Sequence, residues 1–248
     1  MPNHSPRRRP RRPSLGSAQR SSPESTRRSS RLPERLTRRS LQLLLGLLLY
    51  GIGIAMIVRG ELGTAPWDVL TLGLITHLPL SFGTTTVIVS GIVLLCWIAI
   101  RERPGAGTVL NALLVGPAAD AGLLLFPETE ALWARILYLV GGVLIIGVAT
   151  GMYIGSRFGP GQRDGLMTGL HRVTRLPIWI VRTGLEVTVV LIGWLLGGTV
   201  GIGTVVFALG IGPLCQVFLP VFNIPLARDG VDATGGTIAD ADEASSND

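Results

Sequence analysis

Leu62-Gly63-Thr64-Ala65-Pro66-Trp67-Asp68-Val69-Leu70 returns 96 residues later as Phe158-Gly159-Pro160-Gly161-Gln162-Arg163-Asp164-Gly165-Leu166. Glycine and aspartate coincide at one constant offset, and the match continues outward without a gap. Gly73-Leu74 falls on Gly169-Leu170, and Gly105-Ala106-Gly107-Thr108-Val109 on Gly201-Ile202-Gly203-Thr204-Val205. Ala112-Leu113 then meets Ala208-Leu209, and Gly116-Pro117 meets Gly212-Pro213. Apolar matches alone carry little weight between two hydrophobic segments. Glycine, proline and aspartate in register are the mark of an internal duplication, a device common in membrane transport folds.

The chain is 47% apolar and 15% charged, with a mean hydropathy of +0.48. Long apolar runs with few charges fall at 41–58, 84–100, 132–154, 178–196 and 204–221. A sixth, 108–126, is interrupted by Asn111, Pro117 and Asp120. Runs of this length read as membrane spans, and a soluble bundle would lack the polar surface to cover them. The expected fold class is therefore an all-α polytopic bundle of six spans.

The net charge of +6 comes from the ends of the chain. Residues 1–40 hold twelve arginines and two acids, while the stretch beyond Leu226 holds six acids and Arg228. The core between them is nearly neutral, so the basic balance defines no nucleic-acid groove. Both tails, 1–40 and 227–248, are expected to lack structure, being rich in Arg, Ser and Pro or in acids without apolar periodicity. The basic tail is neither a secretory signal nor an amphipathic transit helix. It is expected to remain in the cytoplasm, orient a multi-pass protein in a bacterial plasma membrane and meet anionic lipid headgroups. Cys96 and Cys215 sit inside spans as inert buried thiols, too few for a disulfide framework. His4, His77 and His171 share no metal-ligand spacing, so neither metal nor cofactor is expected.

Between the spans lie two short helical segments, 66–78 and 162–174. Each has about 12 residues, roughly 18 Å of helix, against about 30 Å of hydrocarbon. They read as re-entrant half-helices. Repeat one, about 41–126, and repeat two, about 131–222, then contribute three crossings each, and an odd number gives the two repeats opposite orientations. With the N-terminus inside, the clusters Arg101/Arg103 and Arg157/Arg163/Arg172/Arg175 also lie inside, as the positive-inside rule requires.

Three features carry candidate chemistry. Asp68 and Asp164 fall near the third position of the short helices, where a carboxylate meets the positive helix end. That placement serves capping equally well. Arg163 adjoins Asp164 in a Gly/Pro-rich segment able to open backbone N–H groups to a ligand, and irregular backbone at membrane depth is tolerated where it lines a cavity. Arg182 and Glu186, four apart, share one face of the fifth span, where ionisable groups face a bundle interior or an aqueous path. A packing ion pair is the plainer reading. Their counterparts at the 96-residue offset are Thr86 and Ser90, and Asp120 has Gln216. Asp120 reads either as a site residue or as a polar turn after Pro117. The Gly-x-Gly-Thr runs before the third and sixth spans read as caps and close-packing points. Arg59 and Glu61, closing the first span, read as a surface pair. No nucleophile set, metal cluster or carboxylate dyad emerges, so no enzyme is expected.

Several runs resemble one family. Gly63-Thr64-Ala65-Pro66-Trp67-Asp68-Val69-Leu70 is similar to the Gly-x-x-Pro-Trp-Asp-Val stretch of YczE-like bacterial membrane proteins, within the wider YczE/YyaS/YitT group. Gly159 to Gly169, Arg182-Thr183-Gly184-Leu185-Glu186-Val187 and Gly197-Gly198-Thr199-Val200-Gly201-Ile202-Gly203-Thr204 resemble that group as well. The likeness covers about 43–221. It implies an integral bacterial membrane protein and brings neither substrate nor catalytic residues.

These readings converge on a small-molecule transporter or exporter with a site between the repeats, built from Asp68, Asp120, Arg163, Asp164, Arg182 and Glu186. The competing reading is a non-transporting membrane scaffold or regulator acting through its tails.

Overall fold

The structure is a computed structural model that describes residues 23–223, with side chains from Leu36 onward. The expectations for 1–22 and 224–248 lie outside the described residues. Helix α1 (Pro23–Gly60) begins inside the stretch expected to lack structure. The chain divides into two units at Thr37 and Arg38, the first holding only the start of α1 among the described residues.

The described chain is all helix. After α1 come α2 (Pro66–Ile75), α3 (Phe82–Ala99), α4 (Ala106–Leu125), α5 (Leu132–Gly155), α6 (Gln162–Thr174), α7 (Ile178–Leu195) and α8 (Ile202–Phe222). Six are long and apolar enough to cross a membrane: Leu36–Gly60 within α1, then α3, α4, α5, α7 and α8. The starts of α6, α7 and α8 stand 96 residues after those of α2, α3 and α4. Positive backbone φ recurs at the same spacing, at Glu61 and Arg157 and at Gly63 and Gly159.

Local capping and breaking account for the ends of two elements that differ from expectation. α2 stops at Ile75 instead of 78 because Pro79 disfavours helix at Leu78. Thr76 closes the end by donating to Gly73 O (2.7 Å) and Leu196 O (2.8 Å). α3 starts two residues early, at Phe82, because Ser81 caps it by accepting from Thr84 N (3.1 Å).

α1 forms the centre, with Leu47 and Ile54 fully buried. α3 packs on α4, α5 on α8 and α2 on α7, with α6 against α3 and α7. Lipid is as apolar as leucine, so close packing and polar links between helices replace the usual hydrophobic drive. The links concentrate on the extended segments before the short helices. Leu62 O accepts from Gly203 N (2.7 Å), and Phe158 O accepts from Gly107 N (3.0 Å). Both segments thereby lie against the start of a span from the other half. Gly63 needs its glycine twice over. Its φ is +106°, and an added Cβ would stand 2.5 Å from Gly201 N.

Thr108 and Thr204 occupy the expected caps, each accepting from the N–H of its own N-cap glycine, Gly105 (3.2 Å) and Gly201 (3.3 Å). Thr108 also donates to Pro160 O (2.6 Å), tying the second extended segment down. Arg59 and Glu61 do not pair with each other. Arg59 pairs with Glu128 in the α4–α5 connection, and Glu61 with Arg135 in the first turn of α5 (2.9 Å). Cys96 is exposed rather than buried, since α3 turns that face away from the bundle, and Cys215 is half-buried.

Candidate functional site

α2 and α6 both begin from N-caps, Ala65 and Gly161, that have extended backbone and no side-chain cap. Their first turns line one cavity of about 410 Å³, with walls from α1, α4, α5, α7 and α8. Half-helix starts carry uncapped N–H groups and a partial positive charge. Broken helices of this kind, aimed at a cavity inside a membrane bundle, are the usual way a transporter builds polarity at depth.

The two starts are linked directly. Arg163 of α6 reaches Asp68 of α2, Nη2 to Oδ1 at 3.4 Å, and its guanidinium lies 5.3 Å from the centroid of the Trp67 ring. Asp68 is 1% exposed and sits behind the cavity wall, while Arg163 is 21% exposed and lines it. At 3.4 Å the contact is longer than a strong charge-assisted hydrogen bond, so Coulomb attraction in poorly hydrated surroundings carries most of it.

Asp164 lines the cavity and accepts from the Tyr153 hydroxyl at 2.9 Å. Among the described residues it has no ion-pair partner. Gln162 anchors α6 to α3: Nε2 donates to Ser90 Oγ (3.0 Å), and its carbonyl accepts from Trp97 Nε1 (3.0 Å). Gln162 Oε1 is buried and accepts no hydrogen bond among the described residues. Arg182 and Glu186 pair within α7 at 3.1 Å, and both face the cavity. The polar face of α3 has a different fate. Thr86 bonds within its own helix to Phe82 O (2.9 Å), and Ser90 is taken by Gln162.

Of the six residues proposed from sequence, the structure brings Arg163, Asp164, Arg182 and Glu186 together around the cavity, with Asp68 supporting from behind. Asp120 stands apart. It accepts from Ser81 Oγ (2.6 Å) and Gly83 N (2.7 Å), holding the start of α3. A carboxylate serving two donors at a helix N-terminus is structural, so Asp120→Ala is expected to destabilise the fold by about 1–2 kcal/mol. Thermal unfolding in detergent measures that cost, and the chemistry of the cavity stays untouched.

Sequence reasoning missed Tyr50, Tyr153, Asn111 and Thr150, which line the cavity, and it named Gln216 only as the counterpart of Asp120. Tyr50 and Tyr153 meet edge-on, ring centroids 6.1 Å apart. With only three tyrosines in the chain, one in mid-span and one in the last turn of α5 just before the Gly/Pro-rich segment were a usable signal.

Fold and cavity together define a polytopic helical membrane protein with two short helices meeting at an internal polar site. Residues 37–220 match a family of unknown function, DUF6198, and the chain belongs to that family. An uncharacterised protein of Haemophilus influenzae is 37% identical over 179 residues, 72% of this chain and 82% of that one. The uncharacterised membrane protein YczE of Bacillus subtilis is 29% identical over 189 residues, 74% of this chain and 88% of its own. YyaS of the same organism is 27% identical over 181 residues, 71% and 90% of the respective chains. No solved structure matches the chain significantly.

Proposed function

We propose that this protein is a bacterial plasma-membrane transporter or exporter of a small molecule, with its site in the cavity between two inverted repeats. The observation that carries the reading is the convergence of two half-helix starts on a cavity lined by Arg163, Asp164, Arg182 and Glu186. Charge inside a membrane bundle is expensive, and a purely structural bundle has no use for a cavity lined with it. In this mechanism the halves rock about the site, and Asp164 takes up the cation or coupling proton that the arginines do not already balance.

The constant offset of 96 residues in element starts and positive-φ positions supports the repeat, and three crossings in each half make it an inverted one in this reading. The reading puts the N-terminus inside. The arginines left outside, Arg59 and Arg135, each then pair with an acid. The scaffold reading rests on the tails, of which 1–22 and 224–248 lie outside the described residues, and nothing in the described bundle favours it.

The test compares metabolites inside and outside a deletion strain, the same strain complemented, and the strain complemented with Asp164→Asn/Arg182→Gln/Glu186→Gln. The expected result is a metabolite whose distribution is restored by the native chain and not by the triple variant at equal membrane abundance. Full restoration by the triple variant would end the transport reading.

A further inference from the structure

The second half has an opening that the first lacks. α3 lies along α4, whereas α7 and α8, which hold the corresponding positions, barely touch. The cause is in the side chains. Gly83 lets α3 approach α4 so closely that an added Cβ would stand 2.3 Å from Gly116 O. The residue 96 positions later is Trp179, and Arg182 and Glu186 replace Thr86 and Ser90. Between α7 and α8 lies a groove of about 500 Å³, walled by Val187, Val190, Leu191 and Trp194 on one side and Val205 and Leu209 on the other. Pro66 and Glu186 border both this groove and the charged cavity. Leu191, Trp194 and Leu209 are exposed on the outer surface of the bundle. An ionic chamber and an apolar groove opening sideways therefore adjoin, with Pro66 and Glu186 as their common wall.

We propose that chamber and groove together bind a single-chain amphiphile with a zwitterionic head group, which enters sideways from the bilayer. This rests on the transport reading and names the substrate class. The chain slides from lipid into a groove of the same polarity, so its transfer costs little. The head group leaves the interface and must find its charges answered at once. Arg163 and Arg182 answer an anionic group; Asp164 and the unbonded Gln162 Oε1 answer an ammonium. Two arginines face the three carboxylates of Asp68, Asp164 and Glu186, and the two half-helix starts add partial positive charge. An anionic head group alone would leave Asp164 unanswered, and a cationic one alone would leave unused the N–H donors of Arg163 and Arg182 that Asp68 and Glu186 do not take, whereas one carrying both signs meets both. A polar solute without a chain would make no use of the groove.

The test uses the full chain in nanodiscs of phosphatidylglycerol containing a small fraction of lysophosphatidylcholine with a brominated chain. Trp194 in the groove is quenched by bromine, and Trp194→Phe assigns its share of the signal. The expected quenching saturates and is competed by plain lysophosphatidylcholine but not by lysophosphatidylglycerol of equal chain length. Asp164→Asn with Arg182→Gln weakens it by about tenfold, the effect of losing hydrogen bonds to charged groups. Ala208→Phe fills the groove and removes the saturable component. Leu113→Phe, on the exposed face of α4 and one residue beyond the counterpart of Ala208, leaves it intact and controls for folding. Quenching indifferent to head group and to both site variants means annular lipid only, and overturns the proposal. Disulfide-linked dimers through Leu209→Cys, in a Cys96→Ala/Cys215→Ala background, place a second copy on this face and overturn it too. If a chainless solute is moved and Ala208→Phe leaves that flux unchanged, transport stands and the amphiphile falls. Saturable, head-specific binding without flux in reconstituted vesicles has the converse meaning.

Discussion

Arg163→Met is expected to cost the fold about 3–5 kcal/mol, because it strands the Asp68 carboxylate in the protein interior. Asp68 is 1% exposed, and Arg163 is the cation that answers it. Its remaining compensation is the positive end of α2, worth about 0.3–1 kcal/mol, which is too little to hold a buried charge. Asp68→Asn should cost less, since Arg163 is 21% exposed and its guanidinium can turn into the cavity. Combining Arg163→Met with Asp68→Asn should recover most of the loss, because removing both charges of a buried pair is far cheaper than removing one. Arg182→Met is the internal standard. That pair is four residues apart within one helix and about half exposed, so its loss should cost well under 1 kcal/mol of stability. Unfolding of the four purified variants in detergent gives the comparison. An Arg163→Met variant as stable as Arg182→Met would mean that Asp68 is not a buried charge held by Arg163, and the link between the half-helices would lose its energetic meaning.

The same residues show what was legible in the sequence. The six spans were readable because length and apolarity fix a membrane crossing almost alone, while their ends slipped where a cap such as Ser81 decided the first turn or where, as in α1, the helix continued into polar sequence. The short helices were readable because glycine, proline and aspartate stood in register at a constant offset. Tertiary partners were not. Asp120 lies one turn after Pro117 on α4, and nothing local to it says that the start of α3 is its neighbour. Gln162 gave no hint of Ser90 and Trp97, which lie 72 and 65 residues away in sequence. The Tyr153 hydroxyl reaches Asp164 only because the chain turns back at Gly159, so the pairing depends on the path between them. Periodicity reports which face of a helix is buried. It does not report what that face meets.

The differences between the halves carry more functional information than their likeness, and glycine tests this most directly. Gly116 and Gly212 hold the same position in α4 and α8. A Cβ at Gly116 would stand 2.3 Å from Gly83 O and 3.0 Å from Gly83 C, both rigid backbone atoms, whereas one at Gly212 would meet nothing within 4 Å. Gly116→Ala must therefore push α3 away from α4, an overpacking cost of about 1–3 kcal/mol or somewhat more. Gly212→Ala meets nothing beyond its chain neighbours, and up to about 1 kcal/mol of helix propensity is set against the strain of a Cβ before Pro213, a strain that Gly116→Ala before Pro117 shares. The expected result is a clearly lowered unfolding temperature for the first and a much smaller change for the second. Comparable losses in both would mean that α7 and α8 close as tightly as α3 and α4, leaving no groove beside Glu186. The predicted asymmetry would instead place the opening where sequence put bulk for glycine, Trp179 for Gly83. The helix pair α7 and α8 would then hold the positions of α3 and α4 at the 96-residue offset, with a groove beside the charged cavity in place of a sealed contact.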